Sequence, residues 1–122
     1  MNLYDKFLLY EGNRYSIYFH AEGANASEVY DYFENCDNVT QASLLYLAKR
    51  MGDVGKIYDT TKFRLEDKEN KIYAFKPKNE RFFCFFFVGK KIVITSAYRK
   101  EKQKLDKKAL RKAVEIRNKY VS

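Results

Sequence analysis

The sequence of 122 residues has few of the residues that mark linkers, disulfide frameworks and metal sites. It holds five glycines and one proline, and no segment rich in glycine, serine or proline divides it, so a single domain is expected. Its two cysteines, Cys36 and Cys84, lie far apart with only His20 to join them, which gives neither a zinc-binding spacing nor a disulfide framework. We expect no metal and no cofactor, and we expect the histidine to be structural.

Long apolar runs are also missing. The longest, residues 82–88, has seven residues, whereas a helix that crosses a bilayer needs about 20. The first residues lack a basic region followed by an apolar stretch, so no secretion signal is predicted. We expect a cytoplasmic protein without a membrane segment.

Positive charge, in contrast, is abundant and concentrated at one end. The sequence has 24 Lys and Arg against 16 Asp and Glu, a net charge of +8. Residues 99–119, the C-terminal basic segment, hold ten basic and three acidic side chains and carry +7 of it. Because 46% of the residues are hydrophobic and 17% aromatic, this charge belongs to a folded domain. It predicts a polyanionic partner, with nucleic acid ahead of an anionic membrane surface.

The N-terminal half reads as a strand followed by an α-hairpin. Residues 14–22 alternate aromatic or β-branched side chains with polar ones, as strands do. Ser27 is the predicted N-cap of a first helix, and Asn38 or Thr40 of a second helix that Gly52 ends.

The C-terminal half reads as three strands and a helix. Strands are predicted over residues 71–76, 81–88 and 91–98, and the short turns between them indicate an antiparallel meander on which the α-hairpin packs. Residues 105–121 return to a helical period. The fold class is therefore α+β, and the apolar face of the last helix is formed by Leu110, Ala113, Val114 and Val121.

Turn lengths fix a register between the last two strands. Residues 89–90, Gly-Lys, suit a two-residue type II′ turn with Val88 opposite Lys91. In that register Arg81 lies directly across from Tyr98.

The same reasoning gathers further cations at this end of the sheet. A four-residue turn at 77–80 sets Lys76 opposite Arg81, and Lys100 shares their face if the last strand continues. Like charges directly opposite each other destabilise a sheet by about 0.2–1 kcal/mol, so such a row does not serve stability. Arginine offers a bidentate fork and lysine a point charge to phosphate. The strand-end cluster, comprising Lys76, Arg81, Tyr98 and Lys100, is thus a predicted phosphate site.

A family resemblance rests on three consecutive parts of the C-terminal half. They are KIYAFKP at residues 71–77, RFFCFFFVGKKIVITSAYRKEKQK at residues 81–104, and the basic helix that follows. The second part ends in an aromatic-x-Lys-x-x-Gln-Lys segment that includes Gln103. With the α-hairpin, the pattern covers roughly residues 15–120. It resembles the RelE/HigB-type toxins of bacterial type II toxin–antitoxin systems, in particular the HigB and phage-derived branch of the RelE/ParE superfamily.

The resemblance implies a RelE-like fold, similar to microbial ribonucleases. This fold is a twisted antiparallel β-sheet with an N-terminal α-hairpin packed on it and a basic C-terminal helix. Residues 1–122 then form one RelE/HigB-like toxin domain. Residues 1–14 extend beyond the usual start of the fold, either as an added strand or as a contact for a partner.

The function implied by the resemblance is a toxin that inhibits translation. Such a toxin is a ribosome-dependent mRNA endoribonuclease, or mRNA interferase. It cleaves by attack of a ribose 2′-hydroxyl on the adjacent phosphate, without metal. Its partners are the ribosome, mRNA and a small antitoxin of the helix-turn-helix type.

The resemblance also assigns roles to the strand-end cluster. Arg81 would stabilise the charge of the phosphorane, and Lys76 could act as base if neighbouring cations favour its neutral form. Lys100 would stabilise charge or protonate the leaving oxygen, and Tyr98 would stack on a base or assist proton transfer. RNA or ribosome contacts are expected from the C-terminal basic segment, at Arg99, Lys102, Lys104, Lys107, Lys108, Arg111 and Lys112.

One departure keeps an alternative open. Many relatives have a histidine near the end of the last strand, where this sequence has Ile94-Thr95-Ser96-Ala97-Tyr98. The alternative is a superfamily member without nuclease activity, either a ParE-like inhibitor of DNA gyrase or a degenerate RNA-binding protein. The three cations of the strand-end cluster favour the nuclease.

Overall fold

The computed structural model describes residues 2–102 and 104–122, so the predicted Gln103 position lies outside the described residues. Among them, one six-stranded sheet carries three α-helices, which confirms the α+β fold class. The elements, after a short 3₁₀ turn at Asp5–Phe7, are β1 (Leu8–Glu11), β2 (Ser16–Phe19), α1 (Glu28–Glu34), α2 (Asn38–Val54), β3 (Phe63–Asp67), β4 (Ile72–Phe75), β5 (Glu80–Phe87), β6 (Lys91–Arg99) and α3 (Lys107–Val121).

The sheet has the strand order β1-β2-β6-β5-β4-β3. The predicted antiparallel meander of β4, β5 and β6 is confirmed. The sheet as a whole is mixed rather than antiparallel, because β2 runs parallel to β6. Parallel neighbours need a long crossover, and the α-hairpin together with β3–β5 supplies it.

Two strands extend the predicted set at the sheet edges. Within the predicted extension, β1 is an added strand paired antiparallel with β2, and the contact with a partner stays a prediction. β3 was not predicted from the sequence. It is an edge strand in which only Phe63 is buried while Arg64 and Leu65 are exposed, so its hydrophobic alternation is weak.

The α-hairpin begins as predicted and then differs in its caps. Ser27 caps α1, accepting from the Tyr30 amide at 3.2 Å. Neither Asn38 nor Thr40 caps α2, because the Asp37 carboxylate accepts from the Thr40 amide at 2.8 Å. An aspartate one residue earlier therefore takes the capping position.

Gly52 was wrongly predicted to end α2. It lies buried inside the helix, where the backbone of Gly12 crosses it so closely that a Cβ on Gly12 would come within 2.3 Å of the Gly52 carbonyl. The helix continues to Val54 and ends at Gly55, whose φ of 83° is the left-handed conformation of a C-cap.

α3 packs on the sheet with Leu110, Ala113 and Val114, as predicted, and its buried face differs from the predicted one at the C-terminal end. Ala113, Ile116 and Tyr120 are buried against the sheet, whereas Val121 is 49% exposed. These three residues follow the i, i+3, i+7 spacing of one helix face. Tyr120, and not the predicted Val121, is the last buried residue of this face.

Apolar layers cover both faces of the sheet. α1 and α2 pack on one face, around Phe19, Leu44 and Phe82. α3 packs on the other face, around Phe83 and Phe85. The aromatic strand β5 is therefore covered on both sides. None of the described helices is long and apolar enough to cross a membrane.

Candidate functional site

The register places the predicted residues together at one end of the sheet. Phe75 pairs with Phe82, and the same register extended by one residue sets Lys76 across from Arg81. Arg81 pairs with Tyr98, as predicted. Lys76, Arg81 and Tyr98 therefore lie where β4 ends, β5 begins and β6 ends, on the face that carries α3, and Lys100 directly follows β6.

The Arg81–Tyr98 pair arises by a different route from the predicted one. The predicted Val88–Lys91 pair is absent because Phe87 pairs with Lys91 instead. Gly89 and Lys90 both have positive φ, at 79° and 58°, which excludes a type II′ turn.

A β-bulge compensates for this shift. Phe83 pairs with Ser96 and Cys84 with Ile94, which leaves Thr95 as the extra residue of β6. The register shifts by one residue at the turn and shifts back at the bulge. The two deviations cancel at the strand end, so the predicted pair is right although the predicted turn is wrong.

The Arg81 side chain is anchored to the neighbouring turn. Its Nη1 donates to the carbonyl oxygens of Lys78 at 2.9 Å and Glu80 at 2.8 Å. Its Nε is buried and has no hydrogen-bond partner among the described residues. The guanidinium is thus fixed by backbone on one side and keeps an unpaired donor.

The turn at residues 77–80 also holds the last member of the cluster. The Lys100 amide donates to the Asn79 carbonyl at 2.8 Å, and the Glu80 amide donates to the Pro77 carbonyl at 3.0 Å. Lys78 adopts a φ of 54°, a left-handed conformation that is strained for a non-glycine residue. One tight turn therefore positions both Arg81 and Lys100.

Lys76 has a partner that sequence reasoning missed. Its Nζ lies 3.0 Å from Glu66 Oε1, and the two side chains are only 10% and 16% exposed. It also donates to the Thr60 carbonyl at 3.4 Å. Lys76 therefore lies beside a carboxylate and not among cations alone, which differs from the surroundings expected for it. Glu66 was missed because its strand, β3, was not predicted.

Tyr98 is the partly buried aromatic member of the strand-end cluster. Its ring packs 5.5 Å from that of Phe83 in the layer beneath α3. Burial raises the pKa of its hydroxyl, a hydrogen bond to the Asp106 backbone lowers it, Glu66 raises it and Arg81 lowers it. Both charged groups therefore lie within electrostatic reach of this hydroxyl.

Arg99 lies on the opposite face of the sheet. It donates to Glu80 Oε2 at 2.7 Å, and the other oxygen of this buried carboxylate accepts from the Tyr32 hydroxyl. Burial beside this group raises the pKa of the Cys36 thiol to about 11. Arg99 is thus separated from the cluster, although it is adjacent in sequence to Tyr98.

The other predicted RNA contacts differ in their surroundings. Lys112 forms an ion pair with Glu28 across the gap between α3 and α1. A cavity of about 520 Å³ occupies this gap beside β6, and the strand-end cluster does not line it. Besides Arg99, the exposed cations of the segment are Lys102, Lys104, Lys107, Lys108, Arg111 and Lys119.

Metal ligation has no candidate in the described part of the chain, where no three His, Cys, Asp or Glu side chains come together. In the comparisons with known proteins, the family model described as "Phage derived protein Gp49-like (DUF891)" matches residues 31–118. This match spans α2, β3–β6 and most of α1 and α3. No curated protein matches the chain.

Proposed function

The chain belongs to the family of Gp49-like phage-derived proteins, a family of the RelE/HigB toxin type, and we propose that it is a ribosome-dependent mRNA endoribonuclease. Its family relation suggests the toxin of a toxin–antitoxin pair and implies an antitoxin as partner. The observation that carries the proposal is the meeting of Arg81, Tyr98, Lys76 and Lys100 at one end of the sheet. Within the HigB branch, this cluster would cut mRNA bound to the ribosome.

The proposed reaction is attack of a ribose 2′-hydroxyl on the adjacent phosphate. Charge develops on the phosphorane oxygens, and Nη1 of Arg81 is anchored by two backbone carbonyls so that Nη2 of the guanidinium would bind them. Lys100 and the ammonium of Lys76 supply further positive charge and a proton for the leaving 5′-oxygen. Tyr98 offers a ring on which an RNA base can stack.

The exposed cations on α3 and before it would hold the toxin on ribosomal RNA. Lys107, Lys108 and Arg111 are all exposed and adjoin the sheet face that bears the cluster. Contacts of such cations with phosphates release counterions and give affinity without sequence preference. The strand-end cluster would then cleave the mRNA, and the exposed cations of α3 would hold the protein on the ribosome.

The test is cleavage of a defined mRNA in a reconstituted translation system, with new 5′ ends mapped by primer extension. We expect cleavage by the wild-type protein, and we expect Arg81→Ala to slow it by about 100-fold or more, as removal of a preorganised donor does. Arg50→Ala is the matched control, because Arg50 is an exposed arginine on α2, away from the cluster. A 2′-deoxy nucleotide at the cleaved position should block the reaction.

Two outcomes would refute the proposal. One is growth arrest of expressing cells without new mRNA ends, which would favour the ParE-like gyrase inhibitor. The other is equal cleavage by the Arg81→Ala and Arg50→Ala proteins. Circular dichroism and thermal melting of both variants verify that loss of activity does not reflect loss of fold.

A further inference from the structure

The proposed reaction needs a proton acceptor for the 2′-hydroxyl, and the sequence offers no histidine near the cluster. Both ring nitrogens of the single histidine, His20, face other groups, Tyr120 and Glu22, and its amide donates to the Ile94 carbonyl, four residues before Tyr98 on β6. The acceptor must therefore be another group on the face that carries Arg81 and Tyr98.

We propose that Glu66 is this acceptor, an inference that rests on the proposed function. Its Oε1 lies 3.0 Å from Lys76 Nζ, and its charge acts on the Tyr98 hydroxyl. Its side chain is 16% exposed, so the ion pair lies near the surface and is not fully enclosed. It sits at the bulge of β3, where the pairing shifts between Leu65 and Asp67.

The other acidic side chains near the cluster and the tyrosine are less suited to accept this proton. Glu80 points to the opposite face and binds Arg99 and Tyr32. Asp106 accepts from the Ala109 amide at 3.0 Å as the N-cap of α3. Tyr98 has a raised pKa and stays protonated at neutral pH. Among the described carboxylates near the cluster, Glu66 alone pairs with one of its cations.

Proton transfers balance within the Glu66–Lys76 pair. The 2′-hydroxyl gives its proton to Glu66, the 2′-oxygen bonds to phosphorus, and the bond from phosphorus to the 5′-oxygen breaks. The departing 5′-oxygen takes a proton from the Lys76 ammonium. The products are a 2′,3′-cyclic phosphate and a 5′-hydroxyl, and the proton on Glu66 passes back to the Lys76 amine, with no further reactant.

The test is single-turnover cleavage on mRNA-programmed ribosomes by Glu66→Gln, which keeps the shape and removes the base. We expect the rate to fall by about 100-fold or more, in the range of a general base, with half-saturating protein concentration unchanged. Glu69→Gln is the matched control, because Glu69 is exposed in the following turn. Thermal melting of both variants reports the fold.

A rescue experiment separates a proton acceptor from a residue that only positions Lys76. Added formate should raise the cleavage rate of Glu66→Ala, relative to chloride at equal ionic strength, and should leave Arg81→Ala inactive. Equal rates for Glu66→Gln and Glu69→Gln, or no response of Glu66→Ala to formate, would overturn the assignment. If the Glu66 assignment fails but the wild-type protein cleaves and Arg81→Ala does not, the nuclease proposal is still supported. If the wild-type protein does not cleave, both the nuclease proposal and the Glu66 assignment are refuted.

Discussion

Single side chains set the charge balance of the strand-end cluster. Glu66 neutralises Lys76, and two backbone carbonyls take up one nitrogen of Arg81. Lys100 is held through its backbone amide, and none of the described carboxylates forms an ion pair with its ammonium. The row of cations expected from the sequence is therefore less repulsive than expected, because an acidic residue from an unpredicted strand enters it.

His20 is the residue that links β2 to the end of α3. It is 3% exposed, its Nδ1 lies 2.7 Å from the Tyr120 hydroxyl, and its Nε2 lies 3.3 Å from Glu22 Oε2. Burial lowers the pKa of the imidazole, Glu22 raises it, and Lys119 and Lys112 lower it. The folded protein thus binds a proton here less readily than the unfolded chain.

The expected consequence is loss of stability in mild acid. A histidine with a lowered pKa contributes stability that is present above 6.5, its ordinary value, and is lost as the pH falls through the folded-state value. Urea unfolding across this pH range should show the free energy of unfolding falling with pH, and this dependence should disappear in His20→Gln. A His20→Gln protein with the same slope as the wild type would contradict the prediction.

At the scale of elements, the turn at residues 77–80 positions the Arg81 side chain. Lys78 and Lys71 share a φ of 54°, in turns at opposite ends of β4, and only the Lys78 carbonyl receives Arg81. Glycine tolerates this φ whereas valine does not, so Lys→Gly should raise and Lys→Val should lower stability by about 1 kcal/mol at either turn.

The rate of mRNA cleavage should depend on the turn that contains Lys78 and not on the turn that contains Lys71. Lys78→Val displaces the carbonyl that aims Arg81 and should slow cleavage severalfold, whereas Lys71→Val should lose similar stability and keep its rate. Denaturant unfolding measures the first quantity and primer extension the second. Equal effects of the two valine variants on cleavage would show that the turn has no role in positioning.

At the scale of the molecule, the position of charge should matter more than its amount. Replacing Lys107, Lys108 and Arg111 by Gln removes the exposed cations in the first half of α3. The same substitutions at Lys49, Arg50 and Lys56 give the same net charge and alter exposed positions at and just after the end of α2.

Ribosome binding as a function of salt provides the measurement. The α3 variant should bind more weakly and lose about 0.7–0.9 from its log–log salt slope for every phosphate contact removed. The α2 variant should retain the wild-type slope. Equal slopes for the two variants would mean that only the net charge of +8 matters.

The sequence by itself determined the elements with strong local patterns. Runs of aromatic and β-branched side chains specified β4, β5 and β6, and the short turns between them specified their antiparallel order. Ser27 marked the start of α1, and a run of basic residues marked the surface of α3. These features depend on neighbours in the chain, so local rules suffice to predict them.

Tertiary structure decided what depends on residues far apart in the chain. The parallel pairing of β2 with β6 and the packing of Gly12 on Gly52 have no local signal. The Glu66–Lys76 ion pair forms only because β3 lies beside β4, and β3 is held there by backbone pairing rather than by a strong apolar pattern of its own. Charge and strand register predicted the cluster from the sequence, whereas the position of β3 in the folded sheet determines that Glu66 lies beside it.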